Sequence, residues 1–323
     1  MQLHILQKFN VMMKDLKCIF CGSRITVELK NVFDTRFGID GKYEIGRCEV
    51  CGMEQILPLP SPENLKDLYT TYYNFSGEKG TVYTRLRNFF YYSFLYRFWL
   101  FLDGDISFHD KKGEGRLLDI GCNEGRGLRL YKQNGFEAEG LEMNGRAAAE
   151  ARKGGFRVYA DLLKEFLPEE PYDVAVLSNV LEHSLDPKDM LSHVSCIMKP
   201  GGQVWLSCPN SQSWLRYLFG RYWINWHVPF HIVHFSLRTL SSMLLQSGLK
   251  IVSSKQITPA LWVAHSIIAR LFAKPGKPTR QLRNPFLIAA LILSIRFLFF
   301  PILWLGNFLG RGDCLIAIAQ KSN

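Results

Sequence analysis

From Arg116 onward, short apolar runs alternate with segments whose apolar residues recur every three to four positions. The runs Arg116–Ile120, Glu137–Leu141, 156–159, Asp173–Leu177, 203–207, Leu249–Ser253 and Cys314–Ala319 predict strands. A segment reaching Asn134, 145–153, 187–198 and Ser236–Ser247 predict the helices between them. This alternation predicts an α/β fold, a parallel sheet with helices on both faces. Upstream the pattern differs. Residues 1–60 carry two tight turns and end at Pro58, Pro60 and Pro62. Residues 63–102 read as helical, and 86–102 are almost wholly apolar and aromatic apart from Arg87 and Arg97. A polar loop, 103–115, precedes the alternating region. The expected organisation is a small unit at 1–60, an aromatic helical linker or cap at 61–112, and a main domain at 113–323.

One stretch breaks the main pattern. About 60 residues separate the last two predicted strands, and within them Phe286–Leu309 is a continuous apolar run. As one helix it would be about 36 Å long, against a hydrocarbon core of about 30 Å. Arg296 near its centre costs roughly 3 kcal/mol on an insertion scale, which the Leu, Ile and Phe residues around it can outweigh. A complete single span would strand Cys314–Ala319 across the membrane from its sheet. A second span through 259–273 would be too short, and it would put Lys274, Lys277, Arg280 and Arg283 on the wrong side. The consistent expectation is an apolar insertion, 259–310, that lies in the interface or re-enters it with a bend near Arg296 to Pro301. The aromatic segment 86–102 and Ser213–Trp223 suit the same surface.

Composition refines this picture. The chain has 323 residues, 47% of them hydrophobic and 21% charged, which excludes general disorder. Its net charge of +10 is uneven, because Met190–Gly312 holds no Asp or Glu at all. That excludes a uniformly basic, histone-like chain. It suggests an anionic partner for one half of the molecule, an anionic membrane surface more than nucleic acid, because the basic residues intermix with long aliphatic runs. Residues 1–17 lack a continuous apolar core and a small-residue cleavage site, so a cytoplasmic, reducing location is expected.

There are eight cysteines, four of them in two turns, Cys18-x-x-Cys21-Gly22 and Cys48-x-x-Cys51-Gly52. In a reducing compartment paired turns of this spacing read as metal ligands. Four sulfurs suit a closed, structural zinc ion, Zn2+, in a zinc ribbon. The remaining four are scattered through apolar strings, and Cys208, which follows a strand, reads as packing.

The chemistry centres on Leu117-Leu118-Asp119-Ile120-Gly121-Cys122-Asn123-Glu124-Gly125, a strand entering a glycine turn and a helix. In an open parallel sheet, ligands bind beyond the carboxyl ends of the strands. Glu142 ends the next strand about twenty residues on, where an acid can accept hydrogen bonds from both ribose hydroxyls. The turn lacks the G-x-G-x-x-G spacing of dinucleotide-binding dehydrogenases.

Leu117–Gly125, Glu142, Tyr172–Asp186 and Lys199–Asn210 together resemble the class I S-adenosylmethionine-dependent methyltransferases, in particular the group that includes ubiquinone-pathway and cell-surface-glycan enzymes. Val180-Leu181-Glu182-His183-Ser184-Leu185-Asp186-Pro187 is similar to a stretch common after the fourth strand of that group. The resemblance implies a Rossmann-like seven-stranded sheet and S-adenosylmethionine as cofactor. It further implies that Asp119, Gly121, Cys122 and Gly125 frame the methionine end. Glu142 takes the ribose, Met143 lies against adenine, Asp161 approaches the adenine amino group and Asn179 lies near the sulfonium. Asn123 departs from the small residue usual at its position, though asparagine tolerates positive φ.

Methyl transfer to a hydroxyl needs a proton acceptor, and imidazole suits neutral pH. The candidates are His183, His231 and His234. The last two, with His227, lie in a loop that the pattern puts at the ligand-binding edge. Pro229 interrupts any helix that would align His227, His231 and His234 on a metal. Ser178-Asn179-Val180-Leu181 is unlike the Asn/Asp-Pro-Pro-Tyr/Phe stretch of nucleobase amino methylation. The expected function is O-methylation of a small-molecule or lipid-linked acceptor, a glycan or an isoprenoid, at the cytoplasmic membrane face. An RNA methyltransferase guided by the ribbon and a catalytically silent scaffold remain the alternatives. The sequence assigns no oligomeric state.

Overall fold

A computed structural model describes residues 16–72 and 89–322. The expected absence of a leader, and part of the aromatic segment, lie outside the described residues. In chain order the elements are β1 Ile25–Val32, β2 Tyr43–Cys48, β3 Glu54–Leu57, α1 Pro62–Tyr72, α2 Phe94–Asp103, β4 Arg116–Ile120, α3 Arg126–Gln133, β5 Glu137–Leu141, α4 Gly145–Lys153, β6 Val158–Tyr159 and β7 Tyr172–Ser178. There follow α5 Pro187–Cys196, β8 Met198–Pro209, α6 Trp214–Phe219, β9 Val233–His234, α7 Leu237–Gln246, β10 Leu249–Ile257, α8 Ala260–Phe272, α9 Pro285–Leu298, α10 Phe300–Phe308 and β11 Cys314–Lys321.

The main sheet has seven strands in the order β10-β11-β8-β7-β4-β5-β6. β4 through β8 run parallel, and β11 runs antiparallel between β8 and β10. This is the seven-stranded sheet that the resemblance implies. β4 and β7 are nearly continuous apolar runs because helices cover both faces. β10 is an edge strand whose Lys250, Ser253, Ser254 and Lys255 face solvent, which discourages pairing with another chain. It reaches Ile257 rather than Ser253 because β11 pairs with its whole length. The predicted strand 156–159 shortens to Val158–Tyr159, and the predicted helix 187–198 stops at Cys196 because β8 begins at Met198. Helix starts are fixed locally. Asn144 accepts from Arg146 N and Ala147 N at the start of α4, and Ser236 and Thr239 form a reciprocal capping box at the start of α7.

A second sheet has the order β1-β2-β3-β9. Its first three strands are the cysteine-bearing ribbon, whereas β9 belongs to the histidine loop some 180 residues later. Glu54 pairs with His234 and Gln55 with Val233. Ile45, Met53 and Ile56 of the ribbon share one core cluster with Leu177, Leu206 and Phe235. The ribbon therefore closes its core on the main domain rather than on itself, as its small size requires. Arg216 of α6 fastens the same seam. It is 7% exposed, and its guanidinium lies 2.9 Å from both carboxylate oxygens of Glu54.

The insertion forms three helices. α8 is a core helix, with Ala260, Val263, Ala264, Ile268 and Ala269 buried. The apolar run 286–309 is not one helix. It breaks at Phe299 into α9 and α10, which meet at a 71° bend, and among the described residues no single helix is long and apolar enough to cross a membrane. The break falls within the Arg296 to Pro301 stretch where the sequence put a bend, and Arg296 does not face solvent. It is buried and paired with Asp103 at the end of α2.

Candidate functional site

The sheet order reverses between β4 and β7. The chain leaves β4 toward β5 and β6 on one side, then returns to β7 on the other. Ligands of open α/β sheets bind in the crevice that such a reversal opens. Gly121, with φ 75°, turns the chain there, and a Cβ on it would come within 2.8 Å of Val180 Cγ2. Only glycine meets both constraints. Asn123 adopts φ 53°, the conformation its residue type permits. Its backbone N–H donates to Glu142 Oε2 at 2.9 Å, while Asn144 N–H donates to Oε1 at 2.8 Å. Glu142 thus binds the glycine turn to the end of β5. Its carboxylate keeps further lone pairs for a ligand.

Asp119 lies beside it on β4 and is 7% exposed. Burial, reinforced by the charge of Glu142, pushes its carboxyl up to about 8. Gly125 begins α3 with φ 76°. Met143 projects into solvent at the rim, 58% exposed. Asp161 is exposed in the loop after β6. Asn179 follows β7 with φ 54°, and its buried Oδ1 has no partner among the described residues. These residues gather at one edge of the sheet. Cys122 differs, because its side chain packs against Gly140 in the core.

The histidine loop follows β8 and runs into β9, and Ile232 N–H ties it to Glu182 O in the turn after β7. Deprived of water, every imidazole in it is held neutral. Burial pulls His183 down to about 4 and His234 to about 3, and pulls His231 well below its usual range. His231 donates Nδ1–H to Asn225 O at 2.8 Å, which leaves the lone pair on Nε2. Nε2 faces Glu182 Oε1 at 4.0 Å. His183 Nδ1 lies 3.0 Å from Phe230 O and 2.9 Å from Tyr69 Oη. His234 sits on β9 against Trp226, within the ribbon's sheet.

Cys18, Cys21, Cys48 and Cys51 converge with all their sulfurs within 4.8 Å of one another. Phe20 N–H and Cys51 N–H each point at a sulfur, Cys18 Sγ and Cys48 Sγ, both at 3.4 Å. Amide donors aimed at sulfur stabilise thiolates, so the donor set fits a tetrahedral Zn2+ with no open position.

Three residues escaped sequence reasoning. Glu182 lay inside a quoted motif, but only burial reveals an acid whose two carboxylate oxygens have no partner among the described residues. Tyr69 reaches His183 from α1, more than a hundred residues away, and carries no local signal. His109, bonded to Tyr96 Oη at 2.7 Å, stands beside Asp119: a Cβ on Gly127 would meet His109 Nε2 at 2.9 Å and Asp119 Oδ2 at 3.2 Å.

Residues 97–254 match the methyltransferase domain family. The ubiquinone biosynthesis O-methyltransferase of Klebsiella pneumoniae subsp. pneumoniae is 28% identical over 124 residues, covering 35% of this chain and 51% of that protein. The enzyme of the same description from Pseudomonas aeruginosa is 34% identical over 103 residues, covering 29% of this chain and 44% of that protein. The chain spans about half the length of the curated relatives it matches. Among solved structures, a SAM-dependent methyltransferase from Archaeoglobus fulgidus aligns over 71% of this chain and 100% of its own, at 21% identity and a TM-score of 0.43.

Proposed function

As a chain that carries a class I methyltransferase domain, this protein, we propose, transfers the methyl group of S-adenosylmethionine to a hydroxyl of a lipid-linked glycan or isoprenoid at the inner face of a membrane. The observation that carries the transferase reading is Glu142, held by two backbone N–H groups at the mouth of the β4–β7 crevice. In this reading Glu142 takes the ribose hydroxyls, Met143 covers adenine, Asp161 approaches the adenine amino group, and Asp119, Gly121, Cys122 and Gly125 border the methionine end. Bound there, the cofactor supplies an electrophilic methyl group. The chain aligns the acceptor with it and excludes water. The neutral imidazoles of His183, His231 and His234 are the groups available to receive the hydroxyl proton.

The membrane reading rests on exposed apolar surface. On α2, Phe94, Phe98 and Phe101 form one outward stripe, at 80%, 58% and 83% exposure. Phe297, Trp304 and Phe308 on α9 and α10 and Tyr217 and Leu218 on α6 are exposed as well. These elements adjoin: Arg296 meets Asp103, and Gly306 packs against Trp214. Exposed apolar residues on adjoining elements mark an interaction surface, and Trp and Tyr favour the headgroup level.

Two measurements test the reading. Calorimetry should detect S-adenosylhomocysteine binding that Glu142→Ala abolishes. Labelled S-adenosylmethionine should then transfer label to extracted lipid-linked fractions, with the protein pelleting with anionic vesicles and Phe98→Ser/Phe101→Ser/Phe308→Ser releasing it. Transfer to soluble sugars or RNA alone would discard the lipid acceptor. No cofactor binding would discard the enzyme.

A further inference from the structure

We propose that Glu182, His183 and His231 form a second metal site, distinct from the four cysteines, for a divalent ion of the zinc class. One carboxylate oxygen and one ring nitrogen from each histidine lie within 4.8 Å of one another. They are brought together by the turn after β7 and the loop before β9, which Ile232 N–H joins by donating to Glu182 O at 2.7 Å.

Three observations point to an ion rather than to a structural cluster. First, Glu182 is 1% exposed, and neither of its carboxylate oxygens has a partner among the described residues. A buried carboxylate without donors is costly, and a cation is the partner that removes the cost. Second, the 4.0 Å between His231 Nε2 and Glu182 Oε1 is too long for a hydrogen bond. With zinc–nitrogen and zinc–oxygen bonds of roughly 2.0–2.2 Å, two ligand atoms of a tetrahedral ion stand about 3.4 Å apart, so a shift of about half an ångström would close this pair on one ion. Third, one nitrogen of each ring is already held. His231 Nδ1 donates to Asn225 O and His183 Nδ1 lies against Phe230 O. Backbone carbonyls commonly set metal-binding histidines in this way, directing the other nitrogen to the ion.

Two imidazoles and one carboxylate leave a coordination position open, unlike the closed cysteine site. An ion here would stand between the turn after β7 and the loop before β9, and His234, on β9 itself, lies outside the ligand set. The inference concerns binding and holds whether or not the chain transfers methyl groups; with an ion bound, His183 and His231 are ligands and His234 is the imidazole left to receive a proton.

The full-length protein, stripped with chelator, reloaded with Zn2+ and dialysed, should retain two zinc ions per chain by plasma mass spectrometry. Glu182→Ala and His231→Ala should each retain one. Titration of the stripped wild type with Co2+ should give thiolate charge-transfer absorption with one equivalent. The other should add weak visible bands without that absorption. The variants should lose only the latter, which also reports that the ribbon has folded. One zinc per chain in the wild type, a second cobalt that always carries thiolate absorption, or two zinc ions surviving in both variants would overturn the assignment. None of these readouts depends on turnover, so a failed methyl-transfer assay leaves them interpretable.

Discussion

Arg296 of α9 donates to Asp103 at the end of α2 across 2.5 Å, with both residues nearly sealed from solvent at 7% and 6% exposure. Asp103 Oδ1 also accepts from Ala260 N–H, the first residue of α8. One carboxylate thus ties the aromatic helix to the first two helices of the insertion, and an arginine that looked like an obstacle to membrane contact is withdrawn from the apolar face.

Breaking that pair from one side should be severe. Arg296→Ala leaves Asp103 buried without its cation and should cost about 3–5 kcal/mol in urea unfolding. Arg296→Met with Asp103→Leu should recover most of the loss, because a well-packed apolar pair can replace a buried ion pair. Equal destabilisation of the single and double variants would show that packing, not charge, dominates the contact.

The ribbon should govern the histidine loop. β9 hydrogen-bonds to β3, and Cys48 ends β2 beside it. Cys18→Ser/Cys48→Ser should therefore raise amide exchange across 225–235 by tenfold or more, although that segment is remote in sequence. Unchanged protection there would mean the seam survives on Glu54–Arg216 alone.

Cofactor affinity should rise with pH. Asp119 is protonated below about 8 through burial and the charge of Glu142, whereas a cationic ligand favours its carboxylate. Binding of S-adenosylmethionine should strengthen by up to about tenfold per pH unit between pH 6 and 8, the limit for one linked proton. Asp119→Asn should bind more weakly and flatten the profile. A wild-type affinity independent of pH would exclude Asp119 from the site.

Stability should fall in mild acid. Burial pulls His109 down to about 4 despite the charge of Asp105, and pulls His265 down to about 3 with help from Arg36. In the unfolded chain both titrate near 6.5. The folded values are the lower ones, so the contribution is complete above about 6.5 and drains away as pH drops toward 4. Urea midpoints at pH 7 and pH 5 should differ less in His109→Gln/His265→Gln than in the wild type.

The alternating pattern from Arg116 carried most of the fold, because period-2 and period-3.6 burial are local properties of a chain. The placement of Gly121, Glu142 and Asn179 at strand ends was legible for a related reason, since a parallel sheet delivers its strand ends to one edge whatever the surrounding sequence. The four cysteines were legible because zinc geometry dictates their spacing.

Long-range decisions were not. No local signal says that His234 completes the ribbon's sheet, that Arg216 finds Glu54, or that Arg296 finds Asp103. Hydropathy registers Arg296 only as a charge in an apolar run, and Glu182 only as an acid in a familiar motif. Partners far apart in sequence, and the removal of water around them, decide the energy of a buried charge. The sequence by itself determined the sheet, the crevice and the ribbon. Tertiary structure decided that the acid-free half draws its buried counter-ions from the half before it, which knits the ribbon, the histidine loop and the insertion into one body.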